Sequence, residues 1–425
     1  MKVMYGVAYM KHFYYICKSK IKFSICKYCI SVLITNDMND MVNRYVSSKI
    51  IKMMSFFPAV VILGSRQCGK STLVKMLQNQ FHDYMYIDLQ DRRDRMKLTD
   101  PYLFFQNNEN CTVCLDEVQL MPDLFDVLRS EIDRNRKPGR FILLGSASRE
   151  LLQHTTESLA GRIGLIDLTP FTIFELFCNE EYTLNRFWLR GGYPESYLAP
   201  DDEFSCLWRE NYIRTYLERD IPQLGFSIAA PQMMRLLTML AHEHGGILNC
   251  AKLASAMDLS APTIRHYIDV LEQTYLVRTL PPYFTNTKKR LVKSPRIYMR
   301  DSGLLHQVLN FQTMNDLLGH PIVGLSWEGM VIENICSSAR KAKASFYRSA
   351  NGSEEMDLVL EYPDRLIAIE CKLSTAPQPT AGFWKAIESL KPTKTYMVAP
   401  IEGHYPLAEN VEVTGLDKIC QTLLD

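Results

Sequence analysis

The stretch Pro58-Ala-Val-Val-Ile-Leu63 is apolar throughout and rich in β-branched residues, the pattern of a strand buried on both faces of a parallel sheet. Four more short strand-like runs follow, at Tyr84–Asp88, Cys111–Leu115, Phe141–Ser146 and Ile163–Leu168. Between the first two, Thr72–Leu77 spaces its apolar residues as a helix does. This alternation predicts an α/β fold: a parallel five-stranded sheet covered by helices. Downstream, Phe174–Gly225 reads as helical, punctuated by Gly191-Gly192 and Pro222. Met233–His242, Cys250–Met257 and Ala261–Thr274 read as further helices, the last with Ile264, Ile268 and Leu271 on one side. Tyr275–Pro281 and Lys289–Tyr298 read as a strand pair, and Glu355–Leu360 and Arg365–Lys372 as two adjacent strands.

The turn after the first strand carries the sharpest chemistry. Gly64 to Ser71 spell G-S-R-Q-C-G-K-S, the P-loop pattern G-x-x-x-x-G-K-[ST], in the required order of strand, glycine loop and helix start. Gly64 and Gly69 let the backbone curl so that its N–H groups face phosphate oxygens. The candidate nucleotide-binding segment is Gly64, Ser65, Arg66, Gln67, Cys68, Gly69, Lys70, Ser71 and Thr72. Lys70 suits the β/γ-phosphates of ATP, and Ser71 suits Mg²⁺. The strand at Cys111–Leu115 ends in Asp116-Glu117. Asp116 fits the Walker-B role of holding Mg²⁺ through water, and Glu117 the role of general base toward the attacking water. Ser146 or Ser148, at the end of a further strand, can touch the γ-phosphate or the water.

These residues resemble the AAA+ ATPases. More closely, they resemble a bacterial and archaeal family in which an AAA-type ATPase domain precedes a carboxy-terminal domain of unassigned function. The matching stretches are Gly64–Thr72, Leu115-Asp-Glu-Val-Gln119, Leu159-Ala-Gly-Arg162, Leu168-Thr-Pro-Phe171, Gly191-Gly-Tyr-Pro194, Tyr216-Leu-Glu-Arg-Asp220 and Arg300-Asp-Ser-Gly-Leu-Leu305. Cys68 stands where a valine is usual, and Gly145-Ser146 replaces a more usual ending. The resemblance implies an ATPase core over 41–173 and a helical lid over 174–225. In AAA+ rings an arginine from a neighbouring subunit completes the site, which implies a homo-oligomer. Arg162 is the candidate and Arg219 the alternative.

The second half of the chain is read from its residues as two further units. Residues 226–310 have the order of a winged helix-turn-helix, whose second helix enters the DNA major groove. Thr263, Arg265 and His266 lie near the start of that helix. Lys288, Lys289, Arg290, Lys293 and Arg296 suit phosphates on the wing. Over 311–425, Asp357 on one strand and Glu370-Cys-Lys372 on the next form the core of PD-(D/E)xK nuclease folds. Alternation puts Glu370 and Lys372 on one face and Cys371 on the other. Asp357 and Glu370 are the expected holders of Mg²⁺, Lys372 would orient the water, and Glu328 or Glu333 would be the fourth member. Two carboxylates so close repel, so one of them would have a raised pKa unless a cation sits between them, and Mg²⁺ or Mn²⁺ is expected to stabilise the domain.

Composition narrows the class further. A chain of 425 residues is long enough for about three domains, and its net charge of +1 implies no partner through bulk electrostatics. Its 12 cysteines are scattered, which suits a reducing cytosol better than a disulfide framework. Cys26/Cys29 and Cys111/Cys114 are C-x-x-C pairs without a matching second pair nearby, and Cys111/Cys114 reads as strand packing. His242-Glu-His244 reads as a solvated helix end. Residues 1–40 form a basic extension whose longest apolar run, Cys29–Ile34, is too short to span a bilayer. The expectation is therefore a cytoplasmic ATPase acting through a DNA-binding arm, with no membrane partner. A nucleotide-switched protein-interaction module and an ATP-gated, Mg²⁺-dependent nuclease are the two rivals.

Overall fold

A computed structural model describes residues 42–81, 83–146, 159–177, 182–223, 226, 228–284 and 293–424. The expectations for residues 1–41, Cys26/Cys29, Ser148, Lys288, Lys289 and Arg290 lie outside the described residues. Asn43–Asp425 forms one compact unit.

In the first sheet, β1 (Ala59–Gly64) pairs in parallel with β4 (Phe141–Ser146) on one side and β5 (Ile163–Leu168) on the other. β3 (Thr112–Asp116) and β2 (Tyr84–Asp88) extend the sheet past β4, giving the parallel order β2-β3-β4-β1-β5. Every residue of β1 is buried, which accounts for its unbroken apolar run. Val61 and Leu63 pack with Leu124, Phe125, Leu128 and Ile132 of the helix Leu124–Arg134. Val60 and Ile62 face the other way, toward Ile50 and Met54 of the helix Ser47–Met54 and Leu73 and Val74 of the helix Lys70–Leu77. Each such side chain contributes about 1.5–3 kcal/mol on burial. Gly64 pairs in register with Ser146, so the loop after β1, the end of β3 and the end of β4 share the carboxyl edge of the sheet.

One hydrophobic core runs from Tyr193 to Leu305. It joins the helix Asp202–Thr215 to the helices Ala230–His242, Cys250–Met257 and Ala261–Gln273, and to the antiparallel pair β6 (Val277–Leu280) and β7 (Arg296–Met299). The helix starts are set locally. Asp201, Asn249 and Ser260 each accept a backbone N–H with the side chain at the N-cap, each worth about 1 kcal/mol. The helix Asp202–Thr215 runs on into a π-helical turn, Tyr216–Asp220, an irregularity that recurs at functional sites.

The second sheet holds β8 (Lys343–Arg348), β9 (Glu355–Glu361), β10 (Leu366–Cys371), β11 (Lys394–Val398), β12 (His404–Ala408) and β13 (Val411–Thr414), in the order β12-β13-β11-β10-β9-β8. Phe383, Ala386 and Leu390 of the helix Ala381–Leu390 cover one face. The mostly buried helix Val323–Ser338 links this sheet to the rest. Its Ser337 carbonyl accepts the Tyr45 hydroxyl at 3.1 Å, its Asn334 Oδ1 accepts the Ile173 N–H at 2.8 Å, and its Ser326 Oγ accepts the Trp188 indole N–H at 2.9 Å. Among the described residues no helix is long and apolar enough to cross a membrane.

Candidate functional site

The carboxyl edge of the first sheet assembles most of the residues named from the P-loop pattern. Gly69 takes φ +98°, a conformation open to glycine, and caps the helix Lys70–Leu77, whose first-turn N–H groups have no helical partner. A Cβ on Gly64 would stand 2.2 Å from the Leu168 carbonyl oxygen, so no other residue fits there without a shift. Cys68 is buried with its Sγ 3.5 Å from the same oxygen. The Lys70 ammonium is buried and donates to the carbonyls of Gly64 at 3.0 Å and Ser65 at 2.8 Å. Ser71 Oγ donates to Asp116 Oδ2 at 2.5 Å, and the Tyr86 hydroxyl donates to the same oxygen. Asp116 Oδ1 accepts the Glu117 N–H at 2.9 Å, and Glu117 sits at φ +56° with its carboxylate held by Gln119 Nε2. Ser146 is buried at the same edge. A hydroxyl and a carboxylate this close, beside an ammonium resting on carbonyls and a helix amino terminus, make a donor set that fits a Mg²⁺–triphosphate.

Two contacts around the loop escaped the sequence reading. The Arg66 guanidinium, within the loop, pairs with Asp220 of the π-helical turn. Burial raises the Asp220 carboxyl, with Arg66 and then Arg219 pulling it back. Arg44 is buried and donates to the Cys68 carbonyl at 2.9 Å and to Glu175 Oε1 at 2.8 Å, which pins the loop from behind. Asp220 ends the motif Tyr216-Leu-Glu-Arg-Asp220, but nothing in the sequence ties it to Arg66. Arg219 lies 3.5 Å from Asp220, next to this site. Arg162 precedes β5 at the opposite edge, where its carbonyl accepts the Ala59 N–H and its guanidinium pairs with Asp133 at 2.7 Å. Within its own chain Arg162 therefore does not reach the loop.

The carboxy-terminal residues named from the sequence also converge, with one exception. The β9–β10 ladder ends at Leu358 opposite Ile369, so Asp357 and Glu370 are the next residues on each strand. Lys372 Nζ pairs with Glu370 Oε1 at 2.7 Å, on the face that alternation predicts. Glu328, on the helix Val323–Ser338, completes the cluster by way of Arg296. The Arg296 Nη1 group lies 3.0 Å from Glu328 Oε1 and 3.3 Å from Asp357 Oδ1, and Nη2 pairs with Glu355. This corrects the placement of Arg296 on an exposed wing: it is 5% exposed. Glu333 is the exception. Five residues beyond Glu328 on a helix, it faces about 140° away, and it pairs with Arg278 and Arg300, each at 2.7 Å.

Burial, then the neighbouring Asp357 charge, pushes the carboxyls of Glu328 and Glu370 up to about 8. A folded pKa above the unfolded one gives stability that is fully present at low pH and lost as pH rises through 8. Burial pushes His244 down to about 4 and His306 to about 3, so their contributions change only below the ordinary histidine range. Between pH 6.5 and 8 neither of these two histidines offsets the carboxyls. The melting temperature is expected to fall by a few degrees across that interval, and Glu328→Gln to flatten the fall. A curve that rises there in both proteins would contradict the protonated cluster.

On the helix Ala261–Gln273, Ser260 Oγ accepts the Thr263 N–H at 3.2 Å, Arg265 pairs with Asp269 at 3.0 Å, and Arg265 and His266 are exposed. The expectation of a solvated His244 is overturned. It is buried, accepts the Met299 N–H at 3.0 Å, and packs where a Cβ on Gly329 would stand 2.2 Å from its Nε2. Cys114 is buried on β3 as expected.

Comparison with known proteins agrees with the first half of this picture. A family model described as an AAA domain matches residues 57–177. Two models described as domains of unknown function, DUF8612 and DUF4143, match residues 181–315 and 323–419. Over 379 residues the chain is 36% identical to Uncharacterized protein Rv2008c of Mycobacterium tuberculosis and to Uncharacterized protein Mb2031c of Mycobacterium bovis, covering 89% of this chain and 85% of each relative. A solved structure, the Walker-type ATPase paby2304 of Pyrococcus abyssi, is 14% identical with a TM-score of 0.46, over 64% of this chain and 97% of that one. Fold and sequence together define an AAA-type P-loop ATPase domain at the head of the described unit. The chain belongs to the family of the two mycobacterial proteins.

Proposed function

We propose that this protein binds and hydrolyses MgATP and couples its nucleotide state to a DNA-binding carboxy-terminal arm. The observation that carries the reading is the 2.5 Å contact of Ser71 Oγ with Asp116 Oδ2, beside the buried Lys70 ammonium. Lys70 is placed to exchange its two carbonyl partners for phosphate oxygens, and Ser71 and Asp116 to hold the metal. Mg²⁺ held there would supply charge neutralisation to the phosphates. Glu117 takes the proton of the attacking water, and Ser146 steadies the γ-phosphate or that water. Arg162, remote from its own loop, is assigned to a neighbouring subunit's site in a homo-oligomer. Phosphate in the loop competes with Asp220 for Arg66, and that exchange is the link through which the helical segment senses nucleotide.

For the arm, three helices followed by a strand pair match the order of a winged helix. Thr263, Arg265 and His266 then meet the major groove, and Lys288, Lys289 and Arg290 meet phosphates. The sheet β8–β13, with Asp357, Glu370 and Lys372 together, supports a fold of the PD-(D/E)xK type. Replacing Lys288, Lys289 and Arg290 by Ala is expected to weaken DNA binding across all sequences and to reduce the salt slope by up to about three ion equivalents. Affinity and slope both unchanged would replace DNA by a protein partner, a reading that the internal Arg265–Asp269 pair already favours in part.

A further inference from the structure

We propose that Arg296 is the resident cation of the carboxylate cluster. Its guanidinium stands where a divalent ion would otherwise sit, which makes the pocket a joint between β7 and the carboxy-terminal sheet and not a metal-dependent nuclease site. The inference is independent of the nucleotide reading.

The geometry leaves a metal few ligands. Asp357 gives one oxygen to Arg296 and the other to the Cys371 N–H at 2.9 Å. Glu328 Oε1 is shared between Arg296 at 3.0 Å and the Tyr298 hydroxyl at 2.6 Å. Glu355 pairs with Arg296 and faces Arg348 at 3.6 Å. Glu370 Oε1 is taken by Lys372. Glu370 Oε2 remains, buried and without a hydrogen-bond partner. Mg²⁺ demands near-octahedral oxygen coordination, and among the described residues no group of three or more His, Cys, Asp or Glu is arranged to hold a metal.

The charge of this cation is fixed. A guanidinium does not deprotonate in proteins, so its charge stays beside Asp357 and Glu355 whether Glu328 and Glu370 carry their protons or not, and it repels a second cation placed beside it. Its planar fork also engages several carboxylates at once, which a lysine there would not do. The residue arrives from β7, the strand whose partner β6 follows the helix Ala261–Gln273, while its acidic partners lie on the helix Val323–Ser338 and on β9. The contact thus ties two parts of the chain that separate family models match. Removing the guanidinium strips Asp357 and Glu355 of their counter-charge and frees oxygens on Glu328 and Asp357 beside the orphaned oxygen of Glu370. Those are the makings of a divalent-cation site.

The test is a thermal melt of the full chain with and without millimolar Mn²⁺. All proteins carry Asp116→Asn, which takes the proposed metal-holding carboxylate out of the nucleotide loop. With Arg296 in place, Mn²⁺ is expected to leave the melting temperature unchanged. In Arg296→Met, a chain of similar length without charge, Mn²⁺ is expected to raise it by several degrees through mass action, and Asp357→Asn added to that protein to remove the rise. A Mn²⁺ shift with Arg296 intact that disappears on Asp357→Asn overturns the proposal, whether or not the Arg296→Met protein folds. A folded Arg296→Met protein without a Mn²⁺ shift overturns it as well.

Discussion

Glu117→Gln is expected to bind ATP as the unaltered protein does and to lose its hydrolysis by about 10²–10⁴-fold, the usual worth of a positioned general base. The general-base role proposed for this side chain predicts both results. Its backbone N–H is anchored on Asp116 Oδ1 at 2.9 Å, and the left-handed φ of +56° turns it out of the strand direction at the edge where the loop lies. Gln119 holds the carboxylate. The amide keeps shape and hydrogen bonding but accepts no proton, so binding and chemistry separate cleanly. Equal steady-state phosphate release by the two proteins would remove Glu117 from the mechanism.

Gly192→Ala is expected to cost about 3 kcal/mol, the upper end for forcing an atom into a packed site, and to weaken ATP binding with it. A Cβ there would lie 2.2 Å from the Phe171 carbonyl oxygen, a backbone atom with no freedom to swing aside. The same residue accepts the Phe171 N–H at 2.6 Å and donates its own N–H to Asp301 at 2.7 Å. Tyr193 and Pro194 follow directly. Tyr193 packs on Tyr212 with ring centroids 4.8 Å apart, and the Tyr212 hydroxyl donates to the Arg66 carbonyl at 3.3 Å. A displaced Gly192 therefore moves the helical segment away from the loop. A melting temperature and ATP affinity both unchanged would show that this junction yields without cost.

Much of the first half was legible because each strand was short and strongly apolar and the loop chemistry tolerates few substitutes. The strands Tyr84–Asp88, Phe141–Ser146 and Ile163–Leu168 have the bounds that the hydrophobic runs predict. The carboxylate cluster was legible in part, since strand alternation places Glu370 with Lys372. The sequence reading expected a raised carboxyl pKa or a divalent metal ion there, and Arg296 was not legible as a member of the cluster. Arg296 stands near Lys293 in a basic stretch, and its partners Glu328 and Asp357 are 32 and 61 residues away. Only the pairing of β7 against the arm reveals it. Arg66 and Asp220 are likewise 154 residues apart. His244 misled because it follows a helix end, where solvent is the usual surrounding. Here the Gly245 N–H bonds the Ile297 carbonyl at 2.7 Å and folds the histidine under β7.

The most direct test of the account is a calorimetric titration of the full chain with MgATP, set beside Lys70→Ala. The Lys70 ammonium is buried and committed only to two neutral carbonyls, so it is free to exchange them for charged phosphate oxygens. Two charge-assisted hydrogen bonds at about 1.5 kcal/mol or more each amount to at least a ~100-fold loss of affinity in the alanine variant. Saturable binding to the unaltered chain, reduced by that factor or abolished in Lys70→Ala, is the predicted result. Equal affinity in the two proteins, or no binding to the unaltered chain in the presence of Mg²⁺, would contradict the assignment of Gly64–Thr72 as the nucleotide site.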